Sequence, residues 1–113
     1  MRYKIIIEYD GTPFVGWQRQ DNGLSVQECI ETAIESMFQE KPVLFGAGRT
    51  DAGVHATGQV AHFDIEYKEL DTYSIKTGLN HHLKIYPISV LDVTEVDAEF
   101  HSRFDAKERK YLY

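Results

Sequence analysis

Residues 26–41 of this 113-residue chain carry the pattern of an amphipathic helix that begins at a capping box. Ser25 and Glu28 have the S-x-x-E spacing, in which each side chain bonds a backbone N–H at the start of the helix. Apolar residues then recur every three or four positions, on one face; they are Val26, Cys29, Ile30, Ala33, Ile34, Met37 and Phe38. Pro42 ends the helix. A helix with one apolar face must bury it against another layer.

Runs typical of strands lie on both sides of this helix. The predicted elements are strands over residues 3–9, 43–45, 59–65 and 88–93, a second helix over 71–80 capped by Asp71, and a final strand over 107–113. The order β-α-β-β-α-β plus an extra C-terminal strand predicts an α+β, ferredoxin-like fold with an antiparallel sheet and both helices on one face. The other face of that sheet then requires a cover or a ligand.

Composition narrows the class of protein. With 42% apolar and 27% charged residues, the chain has the make-up of one globular domain. No apolar run is long enough to span a membrane, and the N-terminus does not resemble a signal peptide, so we expect a cytoplasmic protein without membrane attachment. Cys29 is the sole cysteine, and its place on the apolar stripe predicts a core residue rather than a reactive thiol.

Charge is distributed unevenly along the chain. The net charge of −6 opposes binding of nucleic acid by charge alone. The first helix carries four glutamates, Glu28, Glu31, Glu35 and Glu40, which we interpret as a solvated surface. Residues 103–110 contain four basic and two acidic residues, a local excess of positive charge that is compatible with a surface that faces anions.

Four of the eight glycines fall within residues 46–58, around Asp51. Arg49 lies two residues before this carboxylate and His55 four residues after it. Glycine permits positive φ and a close approach of the backbone to a ligand. Two interpretations remain open on these grounds: a loop that a ligand approaches, or a tight turn in which Asp51 caps its own backbone.

The last strand pattern, over residues 107–113, stops without a turn or a polar tail. Natural domains seldom finish on an open aromatic edge. We therefore expect residues 1–113 to be a single domain that forms the N-terminal half of a longer two-domain chain.

Seven motifs, in order along the whole chain, resemble the first half of the tRNA pseudouridine synthase A family (the TruA-type enzymes). They are EYDG at 8–11, GWQRQ at 16–20, SVQE at 25–28, AGRTDAGVH at 47–55, TGQV at 57–60, FHSRF at 100–104 and RKYLY at 109–113. The run around Asp51 is the most specific of them. The chain departs from the family at residues 79–87, which lack the usual short Leu-Pro turn, and by the absence of the second half, which carries an arginine that pairs with the catalytic aspartate.

The resemblance implies an isomerase that converts uridine to pseudouridine in the anticodon stem-loop of tRNA, at about positions 38 to 40, with neither metal nor organic cofactor. It implies that Asp51 is the nucleophile, that Tyr111 lies against the target base and that Arg49 helps to hold the flipped nucleotide. It also implies a homodimer for the full-length protein. The isolated 113-residue piece is expected to be inactive, because half of the cleft is missing.

The chemistry of pseudouridine formation is compatible with these residue types. The target base must leave the stack, and an aromatic side chain can receive it. Attack of Asp51 at C1′, attack at C6 and elimination at C2′ all remain open, as does the identity of the base that removes the C5 proton. Candidate contacts to RNA phosphates are Arg19, Arg103 and Arg109.

Two rival interpretations use other residues. A metal site would draw on Asp51 with His55 or on His81 with His82, but no established ligand spacing accompanies them, so no metal is expected and His62 is interpreted as an exposed strand residue. The alternative function is an RNA-binding module without catalysis, similar to RRM domains, in which tyrosines on the open sheet face stack on bases. Its candidate platform is Tyr3, Tyr9, Tyr111 and Tyr113, but ordinary strand packing is the favoured interpretation for Tyr3 and Tyr9.

Overall fold

The computed structural model describes residues 1–14, 16–17, 23–47, 55–101 and 111–112. Its elements, in chain order, are β1 (Arg2–Tyr9), α1 (Val26–Phe38), β2 (Phe45–Gly46), β3 (His55–Asp64), α2 (Thr72–Leu83), β4 (Ile88–Val96) and β5 (Tyr111–Leu112). Neither of these helices has the length and apolar character needed to cross a bilayer.

The described strands form one antiparallel sheet in the order β2-β3-β1-β4, and β5 pairs with β3. β1 is thus central, with Ile5 opposite Ala61 of β3 and Val93 of β4. The element order and this strand order are consistent with a ferredoxin-like fold, which confirms the predicted α+β class. β5 is the extra C-terminal strand of that prediction.

Alternation along β1 sends its odd-numbered residues into the core. Tyr3, Ile5 and Ile7 are fully buried, and the ring of Tyr3 packs against Phe63 of β3 and Phe38 of α1. The remaining helix residues buried in this core are Val26, Cys29, Ile30, Ala33, Ile34, Ile75, Leu79 and Leu83. The apolar stripe predicted for α1 therefore forms the helix side of the core, and Cys29 is buried as predicted.

Side-chain hydrogen bonds determine where the two helices begin. The Ser25 hydroxyl accepts from the Glu28 N–H (3.1 Å), and the Asp71 carboxylate accepts from the Ser74 N–H (2.8 Å). Both caps confirm the predicted starts. Asn80 then fastens α2 to β4, because its amide donates to the Val90 carbonyl (3.0 Å) and accepts from the Val90 N–H (2.7 Å).

The sheet face opposite the helices is covered at one end by aromatic side chains. His62 stacks with Phe45 (ring centroids 5.1 Å apart, 18° between planes) and meets the edge of His101 (4.7 Å). His62 is only 1% exposed, so the prediction of an exposed strand residue was wrong. Alternation assigned its face correctly, but rings from distant parts of the chain cover it.

Candidate functional site

Most of the predicted site residues lie outside the described residues: Asp51, Arg49, Arg19, Arg103 and Arg109. Tyr111 lies in β5, where its backbone is described. The structure therefore defines the framework on either side of the Asp51 segment, and the predicted roles of these six residues stay predictions.

The strand that carries Tyr111 pairs with the strand that follows the Asp51 segment. Tyr111 is opposite Ala56, and Leu112 is opposite His55. On its other side Ala56 is opposite Tyr9 of β1. β3 thus begins at His55, four residues after Asp51, and pairs there with a strand on each side. This pairing brings the backbone of Tyr111 next to the C-terminal end of the segment that contains Asp51.

The N-terminal end of the same segment is fixed to β3 as well. Phe45 is opposite His62, Gly46 is opposite Ala61, and the Ala47 N–H donates to the Val60 carbonyl (2.7 Å). The described residues on both sides of the Asp51 segment, Ala47 and His55, are therefore tied to β3 or belong to it.

Trp17 supports the backbone at Gly46. Its indole is 3% exposed and lies so close that a Cβ on Gly46 would be 2.8 Å from two ring carbons. It also packs against the ring of Tyr9, at 6.3 Å between centroids. Trp17 is therefore a packing anchor beneath the entry to the glycine-rich run, rather than an exposed aromatic side chain.

Glu31 is a buried residue that sequence reasoning placed on a solvated surface. It is 1% exposed, and its Oε2 accepts from the Leu44 N–H (2.8 Å) and from Gln27 Nε2 (3.2 Å). Gln27 Nε2 also donates to the Leu44 carbonyl (3.1 Å). A signal was present in the sequence, because Gln27 and Glu31 are one turn apart, at the edge of the apolar stripe.

Two tyrosines of the platform considered for the RNA-binding alternative pack in the core, which confirms the strand packing predicted for Tyr3 and Tyr9. Tyr3 and Tyr9 are 0% and 4% exposed and belong to the core cluster. The opposite face carries Phe45, Phe100, His62 and His101 instead, with Lys4 Nζ 6.0 Å from the ring centroid of Phe100. Any nucleobase stacking on the described part of that face would therefore use different residues.

Arg2 connects this face to the chain that leads toward Tyr111. Its guanidinium donates to both carboxylate oxygens of Asp64 (2.8 and 2.9 Å) and to the Phe100 carbonyl. The Arg2 hydrogen bond lowers the pKa of Asp64, and Asp64 in turn raises the pKa of Arg2. Residues 100–101, just before the segment that holds Arg103 and Arg109, are thus attached to β1 and β3.

Two ionisable side chains have pKa values that bear on their chemistry. Burial raises the pKa of the Cys29 thiol to about 11, so this group is an inert core thiol at neutral pH. Burial, with added repulsion from Arg2 and His101, lowers the pKa of His62 to about 4, so its imidazole is neutral.

The described histidines, cysteine and carboxylates include no group of three or more that could hold a metal ion. His81 and His82 are both exposed, with ring centroids 5.5 Å apart.

Comparison with known proteins gives consistent matches over the whole chain. A family model described as tRNA pseudouridine synthase matches residues 5–105. The tRNA pseudouridine synthase A of Wolbachia pipientis wMel is 55% identical to this chain over 114 residues. The protein of the same name from Anaplasma phagocytophilum (strain HZ) is 54% identical over 115 residues. Each alignment covers 100% of this chain and 46% of the relative. The protein of the same name from Maricaulis maris (strain MCS10) is 52% identical over 112 residues, covering 99% of this chain and 45% of the relative. The chain therefore spans about half the length of these relatives.

Proposed function

This chain belongs to the tRNA pseudouridine synthase family, and we propose that the full-length protein isomerises uridine to pseudouridine in tRNA. The proposed substrate is the anticodon stem-loop, at about positions 38 to 40, and the proposed nucleophile is Asp51. Neither a metal nor an organic cofactor takes part. The proposed assembly is a homodimer that acts in the cytoplasm.

One observation carries this proposal beyond family membership: β5 pairs with the first residues of β3. Tyr111 and Asp51 are 60 positions apart in sequence, yet the pairing of Tyr111 with Ala56 places its backbone beside the strand that begins four residues after Asp51. This pairing supports the proposal that Asp51 and Tyr111 act on one uridine, because it holds the Tyr111 backbone against a strand that begins four residues after Asp51.

The proposed reaction breaks the C1′–N1 bond, rotates the uracil and forms a C1′–C5 bond; C5 loses its proton and N1 takes one up, so the product is an isomer of the substrate. The uridine first leaves the helix stack, at a cost of a few kcal/mol. Tyr111 receives the extruded base, and Arg49 contacts the flipped nucleotide through its planar guanidinium, which binds phosphate and stacks on bases. Arg19, Arg103 and Arg109 are proposed phosphate contacts that position the stem-loop.

Release of tritium from C5-labelled tRNA uridine tests the proposal. In the full-length protein, Asp51→Asn is expected to lower the rate of tritium release at least about a thousandfold, because the amide cannot act as a nucleophile. Asp92→Asn is the matched control, since Asp92 is an exposed carboxylate on β4 and the variant is expected to retain full release. Release by Asp51→Asn at the rate of the unsubstituted protein would refute the role of Asp51. An unsubstituted protein that binds tRNA without releasing tritium would favour the binding-module alternative.

A further inference from the structure

We propose that Glu31 and Gln27 are positioning residues for Asp51 that act through the backbone of Leu44. This inference rests on the proposed function, because it assigns these two side chains a part in the same reaction. They are polar groups of α1, and neither belongs to the residues proposed to touch RNA.

Burial makes Glu31 unusual among the acidic residues that the structure describes. Its side chain is 1% exposed, while Glu35, one turn later on the same helix, is exposed. A carboxylate is withdrawn from water at a high cost unless hydrogen bonds replace the lost hydration. Here the replacement partners include the Leu44 N–H at 2.8 Å and Gln27 Nε2 at 3.2 Å.

Glu31 and Gln27 together hydrogen-bond both backbone polar groups of Leu44, its N–H and its carbonyl. Glu31 accepts from the Leu44 N–H, and Gln27 donates to the Leu44 carbonyl at 3.1 Å. A backbone carbonyl can only accept, so the Gln27 amide presents its NH₂ group to the Leu44 carbonyl, and the same nitrogen also reaches Glu31 Oε2. Leu44 is thus bonded to α1 through both its N–H and its carbonyl.

Residues 44–47 precede the Asp51 segment, and each of them is held by a described contact. The Leu44 side chain is 1% exposed, Phe45 and Gly46 pair with β3, and the Ala47 N–H donates to the Val60 carbonyl. Asp51 follows Ala47 by four residues. These contacts make the backbone at Ala47, the last described residue before Asp51, dependent on the position of Leu44.

The test compares turnover with tRNA affinity in the full-length protein. Glu31→Leu and Gln27→Met are each expected to lower kcat for tritium release by about tenfold to a hundredfold, while KM for tRNA changes less than about threefold. Glu31→Gln keeps an acceptor for the Leu44 N–H and is expected to recover part of kcat. Glu35→Leu is the matched control, because it removes the same charge from an exposed position of the same helix.

The outcomes separate the two proposals. If the unsubstituted protein releases no tritium, the proposed function fails and this inference fails with it. If that protein is active and the folded Glu31→Leu and Gln27→Met variants retain its kcat, only the positioning role is overturned. A raised KM with unchanged kcat likewise overturns it, because that result indicates RNA binding. Should Glu31→Leu fail to fold, Gln27→Met decides, since it leaves the bond from Leu44 N–H to Glu31 in place.

Discussion

At the scale of single residues, two buried polar side chains show what local pattern cannot predict. Periodicity placed His62 and Glu31 away from the apolar faces, and both are 1% exposed. Each is covered by groups distant in sequence: His62 by Phe45 and His101, and Glu31 by the backbone of Leu44. A pattern of period two or 3.6 assigns a face, whereas burial depends on what later packs against that face.

The lowered pKa of His62 predicts a loss of stability in mild acid. The unfolded chain takes up a proton near pH 6.5 and the folded chain only near pH 4, so the unfolded state binds more protons between these values. The free energy of unfolding is therefore at its full value above about pH 6.5 and is expected to fall by up to about 3 kcal/mol as the pH approaches 4. Urea denaturation at pH 7, 5.5 and 4.5 measures this fall.

Two variants isolate the contribution of His62. His62→Gln is expected to flatten the pH dependence, because it removes the titrating group, whereas His81→Gln, at an exposed position on α2, is expected to leave it unchanged. Equal slopes for the unsubstituted protein and His62→Gln would contradict the assignment.

At the scale of elements, the starts of the helices follow the sequence more closely than their ends. α1 begins at its predicted cap but ends at Phe38, ahead of Pro42, and its C-cap is Gln39. α2 begins after Asp71 but runs to Leu83, three residues past the predicted end. β2 was predicted at residues 43–45 and lies at Phe45–Gly46. The shift has a physical cause, because the N–H and carbonyl of Leu44 are bonded to Glu31 and Gln27.

The strand β3 also extends beyond its prediction. It begins at His55 rather than Gln59, so four residues of the glycine-rich run are strand. Glycine content favoured a loop there, but pairing with Tyr9 on one side and Tyr111 on the other supplies ladder partners. Such partners come from far along the chain, and composition does not reveal them.

The contact between Gly46 and Trp17 predicts a steric effect within β2. Gly46→Ala is expected to destabilise the fold by about 1–3 kcal/mol, because the new Cβ would lie 2.8 Å from two carbons of a buried indole. Gly58→Ala is the matched control on the neighbouring strand, where a Cβ meets no atom within 4 Å. Its expected effect is neutral or slightly stabilising. Equal urea midpoints for the two variants would show that the Trp17 indole moves enough to accommodate the new Cβ.

At the scale of the whole molecule, the sheet brings together segments from both ends of the chain. Ala56, near the start of β3, is opposite Tyr9 of β1 on one side and Tyr111 of β5 on the other, so the first and last described strands flank the same residue. The chain covers 46% of the length of the relatives from Anaplasma phagocytophilum and Wolbachia pipientis.

We expect residues 1–113 alone to release no tritium from labelled tRNA, because the proposed site needs groups from a second half. The same assay on the full-length protein is the positive control. Circular dichroism of the short chain distinguishes an inactive folded domain from an unfolded one. Release by the short chain at a rate comparable to the full-length protein would show that residues 1–113 contain the complete catalytic apparatus.

The sequence by itself determined the family, the α+β class, the start of each helix and the faces of the central strands. These properties depend on local patterns: capping residues, apolar periodicity and a specific run of motifs around Asp51. Only the tertiary structure decided that Glu31 and His62 are buried, that Leu44 is held by α1 and that Tyr111 pairs beside the start of β3. Each of these depends on contacts between residues remote in sequence, and the free energy of such contacts arises only when the chain has folded.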